Sequence, residues 1–99
     1  MSSSCQLNFS SFYQLKIPKT QFINCKLEEV DFTESQLQEV IFDGSNLKNA
    51  IFEATNLEKS DFTSALHFSI DPDANRLKGA KFSKDNLIGL LHKYKISIE

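Results

Sequence analysis

Leu and Phe recur at every fifth position of this 99-residue chain. Stepping by five from Leu7 to Leu87 visits 17 positions; fourteen are Leu or Phe and one is Ile17, with only His67 and Pro72 interrupting. The two residue types make up 20 of the 99 residues, so chance would fill about 3 of those positions. A period of five fits neither the helix repeat of about 3.6 nor the strand repeat of about 2. The positions two before the comb form a second one, running through Cys5, Ser10, Thr20, Cys25, Val30, Ser35, Val40, Ser45, Ala50, Thr55, Ser60 and Ala65. These are small or β-branched, and Leu15 is the exception. The other three positions of each five hold most of the charged and amide residues. The pattern suits a chain that turns a corner every five residues, one large and one small side chain pointing into a core shared by stacked coils.

Segments such as Ser45-Asn46-Leu47-Lys48-Asn49, Ala50-Ile51-Phe52-Glu53-Ala54 and Thr55-Asn56-Leu57-Glu58-Lys59 carry a family resemblance. They resemble the A(D/N)LXX motif of pentapeptide-repeat proteins over residues 5 to about 82. The resemblance implies an all-β solenoid: a right-handed quadrilateral β-helix of about four coils, four pentapeptides to a coil, with a short C-terminal α-helix as cap. Residues 1–4 are then an N-terminal tail, 5–82 the β-helix with an irregularity near 66–76, and 83–99 a capping or dimerisation helix and tail. The run from Ile70 to Ser83, with Gly89-Leu90-Leu91-His92-Lys93-Tyr94 after it, resembles the C-terminal closure of stand-alone members, among them the quinolone-resistance, gyrase-binding proteins.

A coil of four pentads stacks residues 20 apart at about 4.8 Å, as neighbouring strands do. Phe12, Phe32 and Phe52 then form one column and Phe22, Phe42 and Phe62 the opposite one. Leu7, Leu27 and Leu47 stack, as do Ile17, Leu37 and Leu57. Four such coils span less than about 20 Å. Cys5 and Cys25 fall in one inward column as two core thiols, side by side rather than facing as a disulfide requires.

Near the C-terminus the period changes. After Ser83, Leu87, Leu90, Leu91 and Tyr94 fall at i, i+3, i+4 and i+7, which predicts an amphipathic helix over roughly 84–94. Asp85 in its first turn and Lys93 and Lys95 in its last match the helix dipole. It covers the last coil, and the resemblance implies that Leu87, Leu90, Leu91 and Tyr94 also pair two copies into a homodimer. At the other end the comb starts at Leu7 with only Ser2 to Ser4 before it. Three arrangements stay open: the first residues fold over that coil, two molecules meet there, or the chain is the C-terminal part of a longer protein.

Composition excludes other classes. No apolar run reaches the roughly 18 residues of a membrane span, and the first residues lack the basic and apolar parts of a signal peptide, so a cytoplasmic protein is expected. His67 and His92 have no placed nucleophile or carboxylate beside them, Gly44, Gly79 and Gly89 are isolated, and two Cys with two His are too few for a metal site. No enzyme, cofactor or metal is expected.

Charge is uneven. Residues 1–27 carry +3, 28–65 carry −7 and 66–99 carry +2, which together give the net −2. Sorted by coil side, with the register carried through the break near 67, the side built from 10–14, 30–34, 50–54 and 70–74 holds Asp31, Glu34, Glu53, Asp71 and Asp73 and no base. The next side sets Glu39 and Glu58 against Lys16, Lys19, Lys59, Arg76 and Lys78. An all-acidic side repels nucleic acid and attracts a basic surface, including one that ordinarily grips DNA. The resemblance implies a protein partner, DNA gyrase or topoisomerase IV, engaged by DNA mimicry. The alternative is a structural or interaction scaffold, or a fragment of a longer repeat protein, with no topoisomerase role.

Overall fold

The computed structural model describes residues 2–3 and 6–91. Three short strands, β1 (Ser2–Ser3), β2 (Gln21–Ile23) and β3 (Ile41–Asp43), pair in parallel in that order. Their partners are offset by one constant interval: Ser2 faces Phe22, and Phe22 faces Phe42. Isolated parallel bridges repeat that offset on the other sides, joining Gln6, Lys26, Asn46 and Leu66, then Ser11, Asp31 and Ile51, then Lys16, Gln36, Asn56 and Arg76. The chain is a β-helix whose backbone returns to the same side every four pentads. β1 lies over β2, so the first residues do fold over one side of the first coil.

Each pentad ends in a tight corner. In most pentads the residue two after a comb position takes a positive φ, among them Glu29 (56°), Glu34 (57°), Glu39 (59°) and Lys59 (59°). Residues with a Cβ are uncommon there, but each corner amide is held by the next coil: the Glu29, Glu34, Glu39 and Lys59 N–H groups donate to the Lys48, Glu53, Glu58 and Lys78 carbonyls. Most corners also close with a bond across four residues, as from the Ser35 N–H to the Phe32 carbonyl or the Val40 N–H to the Leu37 carbonyl. The ladder between coils thus stabilises a conformation that isolated pentads would not hold.

The interior is closely packed and aromatic. Phe32, Phe42, Phe62, Leu27, Leu37, Leu47 and Leu57 are fully buried, while Leu7, Phe12 and Ile17 of the first coil are only half covered. Phe32 stacks on Phe52 with centroids 5.0 Å apart, and Phe42 on Phe62 at 4.9 Å. The two columns also touch each other: Phe32 meets Phe42 edge to face at 6.0 Å, and Phe52 meets Phe62 likewise at 6.0 Å. Offset stacking within a column and edge-to-face contact between columns satisfy both ring geometries at once.

Two expectations need correction. The register does not run unbroken past Leu66. His67 is exposed at φ 60°, and Phe68 is buried in its place, its ring 5.3 Å from Phe62 and 5.6 Å from Phe82. The Ala54 N–H donates to the Ala74 carbonyl, one residue later than the Glu34-to-Glu53 pattern requires, and the Asn56–Arg76 bridge restores the register. A polar imidazole at 67 is a poor core filler, and the adjacent Phe takes the slot by a one-residue slip. Over the described residues the C-terminal helix is a 3₁₀ helix, Lys84–Leu90, where an α-helix was expected from about 84 on. Its Gly89 carbonyl is taken by the Ile70 N–H at 2.7 Å, and Gly89 packs so close to Phe68 that a Cβ would lie within 2.4 Å of the ring. Those tertiary contacts hold the helix against the last coil. Tyr94, Lys93 and Lys95 lie outside the described residues, as does Cys5.

Candidate binding surface

The acidic side starts from the ladder that bridges Ser11, Asp31 and Ile51. Asp31 is half-buried because its carboxylate accepts the Thr33 N–H at 2.9 Å, capping the corner that carries Glu34. Glu34 and Glu53 point to solvent. Glu34 accepts a hydrogen bond from the Tyr13 hydroxyl at 3.2 Å, which ties the first coil to the second. That bond, then the nearby charges of Glu34 and Asp31 with slight desolvation, raises the Tyr13 phenol above its ordinary pKa of 10.0.

The slip near His67 alters the lower part of this side. Asp71 accepts the Asp73 N–H at 2.9 Å, and the Asn75 amide donates to the Asp71 carbonyl. Asp71 is half-buried and Asp73 exposed. A shallow hollow of about 360 Å³ lies between this segment and the coil above, lined by Ile51, Phe52, Glu53, Ser69, Asp71 and Ala74. Asp31, Glu34, Glu53, Asp71 and Asp73 therefore share one side with no Lys or Arg among them, though Asp71 and Asp73 are not in direct register with the others.

Sequence reasoning passed over two contributors. Tyr13 and Ile51 stand on the same side, 48% and 47% exposed, and add apolar contact area to the carboxylates. Both sit one residue from a comb Phe, the position that faces out, so the signal was available. Of the helix residues, Leu90 packs on the core, Leu91 is half-buried and Leu87 is 41% exposed. On the neighbouring side Glu58 pairs with Arg76 at 3.7 Å, an exposed pair of small energetic weight.

A cleft of about 490 Å³ opens where the C-terminal helix meets the last coils, lined by Ser64, Leu66, His67, Phe68, Asp85 and Ile88 among others. It does not assemble a catalytic set. The Ser64 hydroxyl donates to Asp43 at 2.8 Å and accepts the Gly44 N–H, so it is committed away from His67. Among the described residues no group of His, Cys, Asp and Glu could hold a metal ion, and no helix is long and apolar enough to cross a membrane.

Comparison with known proteins agrees with this geometry. The full-length structure of QnrB1, a plasmid-mediated fluoroquinolone resistance protein, superposes with a TM-score of 0.67 at 16% identity, covering 95% of this chain and 44% of QnrB1. A trypsin-treated M102R form of QnrB1 gives 0.51 at 22% identity, covering 98% and 47%. The chain thus spans less than half the length of these solved structures, and the likeness is one of fold. No curated protein sequence matches it. The profile of the pentapeptide repeat region matches residues 15–90, three-quarters of the chain, and the protein belongs to the pentapeptide repeat family.

Proposed function

We propose that this protein is a non-catalytic binding module that acts through the acidic side of its rod, and that its partner is the basic DNA-gripping surface of a type II topoisomerase such as DNA gyrase or topoisomerase IV. In this reading the rod is a right-handed, four-sided coil that stands in for duplex DNA, protects the enzyme from quinolone inhibitors and works in the cytoplasm. One observation carries the reading: five carboxylates and no base occupy one side, with Tyr13 and Ile51 exposed among them. Charge of one sign steers a basic partner, and the two apolar groups give the complex contacts that salt does not screen. A fluoroquinolone-resistance protein of the same fold, QnrB1, is consistent with such a role.

The test is gyrase supercoiling, with and without a quinolone, in the presence of the protein and of a variant carrying Glu34→Lys and Glu53→Lys. Both residues are exposed, so the fold should survive. The intact protein is expected to change supercoiling or restore it under drug, and the variant to require at least about tenfold more protein, the equivalent of roughly 1.4 kcal/mol. No effect of the intact protein at any concentration removes the topoisomerase reading. The scaffold reading then takes its place; it is favoured by the Lys59, Lys78 and Arg76 cluster on the adjacent side, which a DNA mimic does not need.

A further inference from the structure

On three sides of the rod the ladder runs on to the last coil, through the Asn46–Leu66, Asn56–Arg76 and Asp61–Lys81 bridges. On the acidic side its last described bridge is the one from Asp31 to Ile51. Each bridging residue there makes two bonds to the coil before it. The Asp31 N–H donates to the Ser10 carbonyl at 3.1 Å, and the Asp31 carbonyl accepts the Phe12 N–H at 2.7 Å. Ile51 repeats this with Val30 and Phe32, at 2.9 and 2.8 Å. By the same rule a residue below Ile51 should donate to the Ala50 carbonyl and accept the Phe52 N–H. Neither bond is made among the described residues. The sequence explains the missing rung. The one-residue slip at His67 brings Pro72 to that place, and a proline has no N–H for the Ala50 carbonyl. The neighbouring Asp71 carbonyl accepts the Asn75 side-chain amide at 2.9 Å and the Ala74 N–H at 3.1 Å, not the Phe52 N–H. The hollow of about 360 Å³ lies at this gap, between residues 50–53 and the 69–74 segment, and is large enough for a ligand group.

We propose that this gap receives one extended residue from a basic segment of a partner protein, its N–H donating to Ala50 and its carbonyl accepting from Phe52 in place of the missing rung. The N–H and C=O of one extended residue point to the same side of its strand, at the spacing the gap presents. An unpaired stretch of sheet backbone is a template for the main chain of another protein. Charge decides which side chains flank that residue. Glu53 is exposed and Asp71 half-buried, Asp31 and Glu34 lie above them, and this side holds no base. An arginine beside the rung lays its methylene stem along Ile51, which is 47% exposed, and brings its guanidinium to Glu53 and Asp71. Asp71 already accepts the Asp73 N–H, and a carboxylate has lone pairs for further donors. The proposal rests on the acidic side being the binding surface, and it specifies the chemistry of the segment recognised rather than the enzyme that carries it.

NMR titration of the 99-residue chain with the acetylated and amidated tripeptide Arg-Val-Arg tests it. No topoisomerase is present, so this outcome and that of the supercoiling assay are separate. In the free protein the Phe52 amide is expected to exchange at least about tenfold faster than the Phe32 and Phe62 amides, whose ladder bonds are made. The peptide should shift the Phe52 resonance and slow its exchange. Methylating the valine nitrogen removes the donor to Ala50 and should weaken binding at least about threefold. Glu53→Gln, at an exposed side chain, should weaken it by a similar factor, and the peptide Glu-Val-Glu should not bind. A Phe52 amide as protected in the free protein as that of Phe32 overturns the proposal. So does a Phe52 resonance unmoved by up to about 10 mM peptide. Equal binding by the methylated peptide, by the acidic peptide or by Glu53→Gln overturns it as well.

Discussion

Among single residues the small inward positions proved more specialised than their size suggests. At two corners that lack their own closing bond, a side chain from the coil below enters instead. Ser45 accepts the Cys25 N–H at 3.1 Å and donates to the Phe22 carbonyl at 2.9 Å. Asn75 does the same for the Thr55 N–H and the Phe52 carbonyl, each at 3.0 Å. Ser60 instead donates to the Leu57 carbonyl, which the Ser60 N–H already satisfies. Ser45→Ala therefore removes two buried hydrogen bonds to the backbone and should cost about 2–4 kcal/mol, whereas Ser60→Ala should cost about 1 or less; urea unfolding of the pair measures both. Equal costs would contradict the assignment. Phe32→Ala, which removes a ring stacked on Phe52 and edge-on to Phe42, should cost about 3–5 kcal/mol in the same assay. Asp61 supplies a pH test. Partial desolvation raises its pKa, but the Thr63 hydroxyl and N–H and the Lys81 charge outweigh that and hold it below its ordinary 3.8. The unfolded chain then binds the proton first, so this contribution is present above 3.8 and fades as pH falls below it. The carboxylate is half-buried and the effect small; Asp61→Asn should flatten the acid limb of a melting-temperature profile.

Within elements, the five-residue comb made the coil legible before any coordinates, because a period that matches neither helix nor strand leaves few ways to bury one residue in five. The 20-residue interval followed from the same count, and the β2–β3 register has it. Two features escaped because they depend on tertiary competition. Nothing local distinguishes His67 from Phe68 as the buried residue until the Phe62 and Phe82 rings between which Phe68 fits are in place. The spacing of Leu87, Leu90 and Leu91 suits an α-helix, but Gly89 is drawn against Phe68 and its carbonyl to Ile70, and the tighter 3₁₀ turn results. Gly89 thus keys the helix to the coil. Gly89→Ala should overpack that contact, cost about 1–3 kcal/mol and speed exchange of the Ile70 amide, while leaving the Phe42 amide protected. Unchanged exchange at Ile70 would show that the helix is seated by other contacts.

For the molecule as a whole, the nearly neutral net charge conceals its organisation. The coil gathers Asp31, Glu34 and Glu53 from stretches of sequence about 20 residues apart, and the slipped segment adds Asp71 and Asp73 below them. Asp31, Glu34 and Glu53 were legible from the register; the slipped position of Asp71 and Asp73, the hollow under Ile51 and the Tyr13–Glu34 bond were not, since they arise from the slip and from side-chain reach between coils. The account rests on that side being a binding surface, and calorimetric titration into a purified type II topoisomerase tests it most directly. Binding is expected to weaken between about 50 and 300 mM salt, to fall at least about tenfold with Glu34→Lys and Glu53→Lys, and to change by no more than about twofold with Lys59→Glu and Lys78→Glu. No binding, or equal losses from both pairs of substitutions, would contradict it.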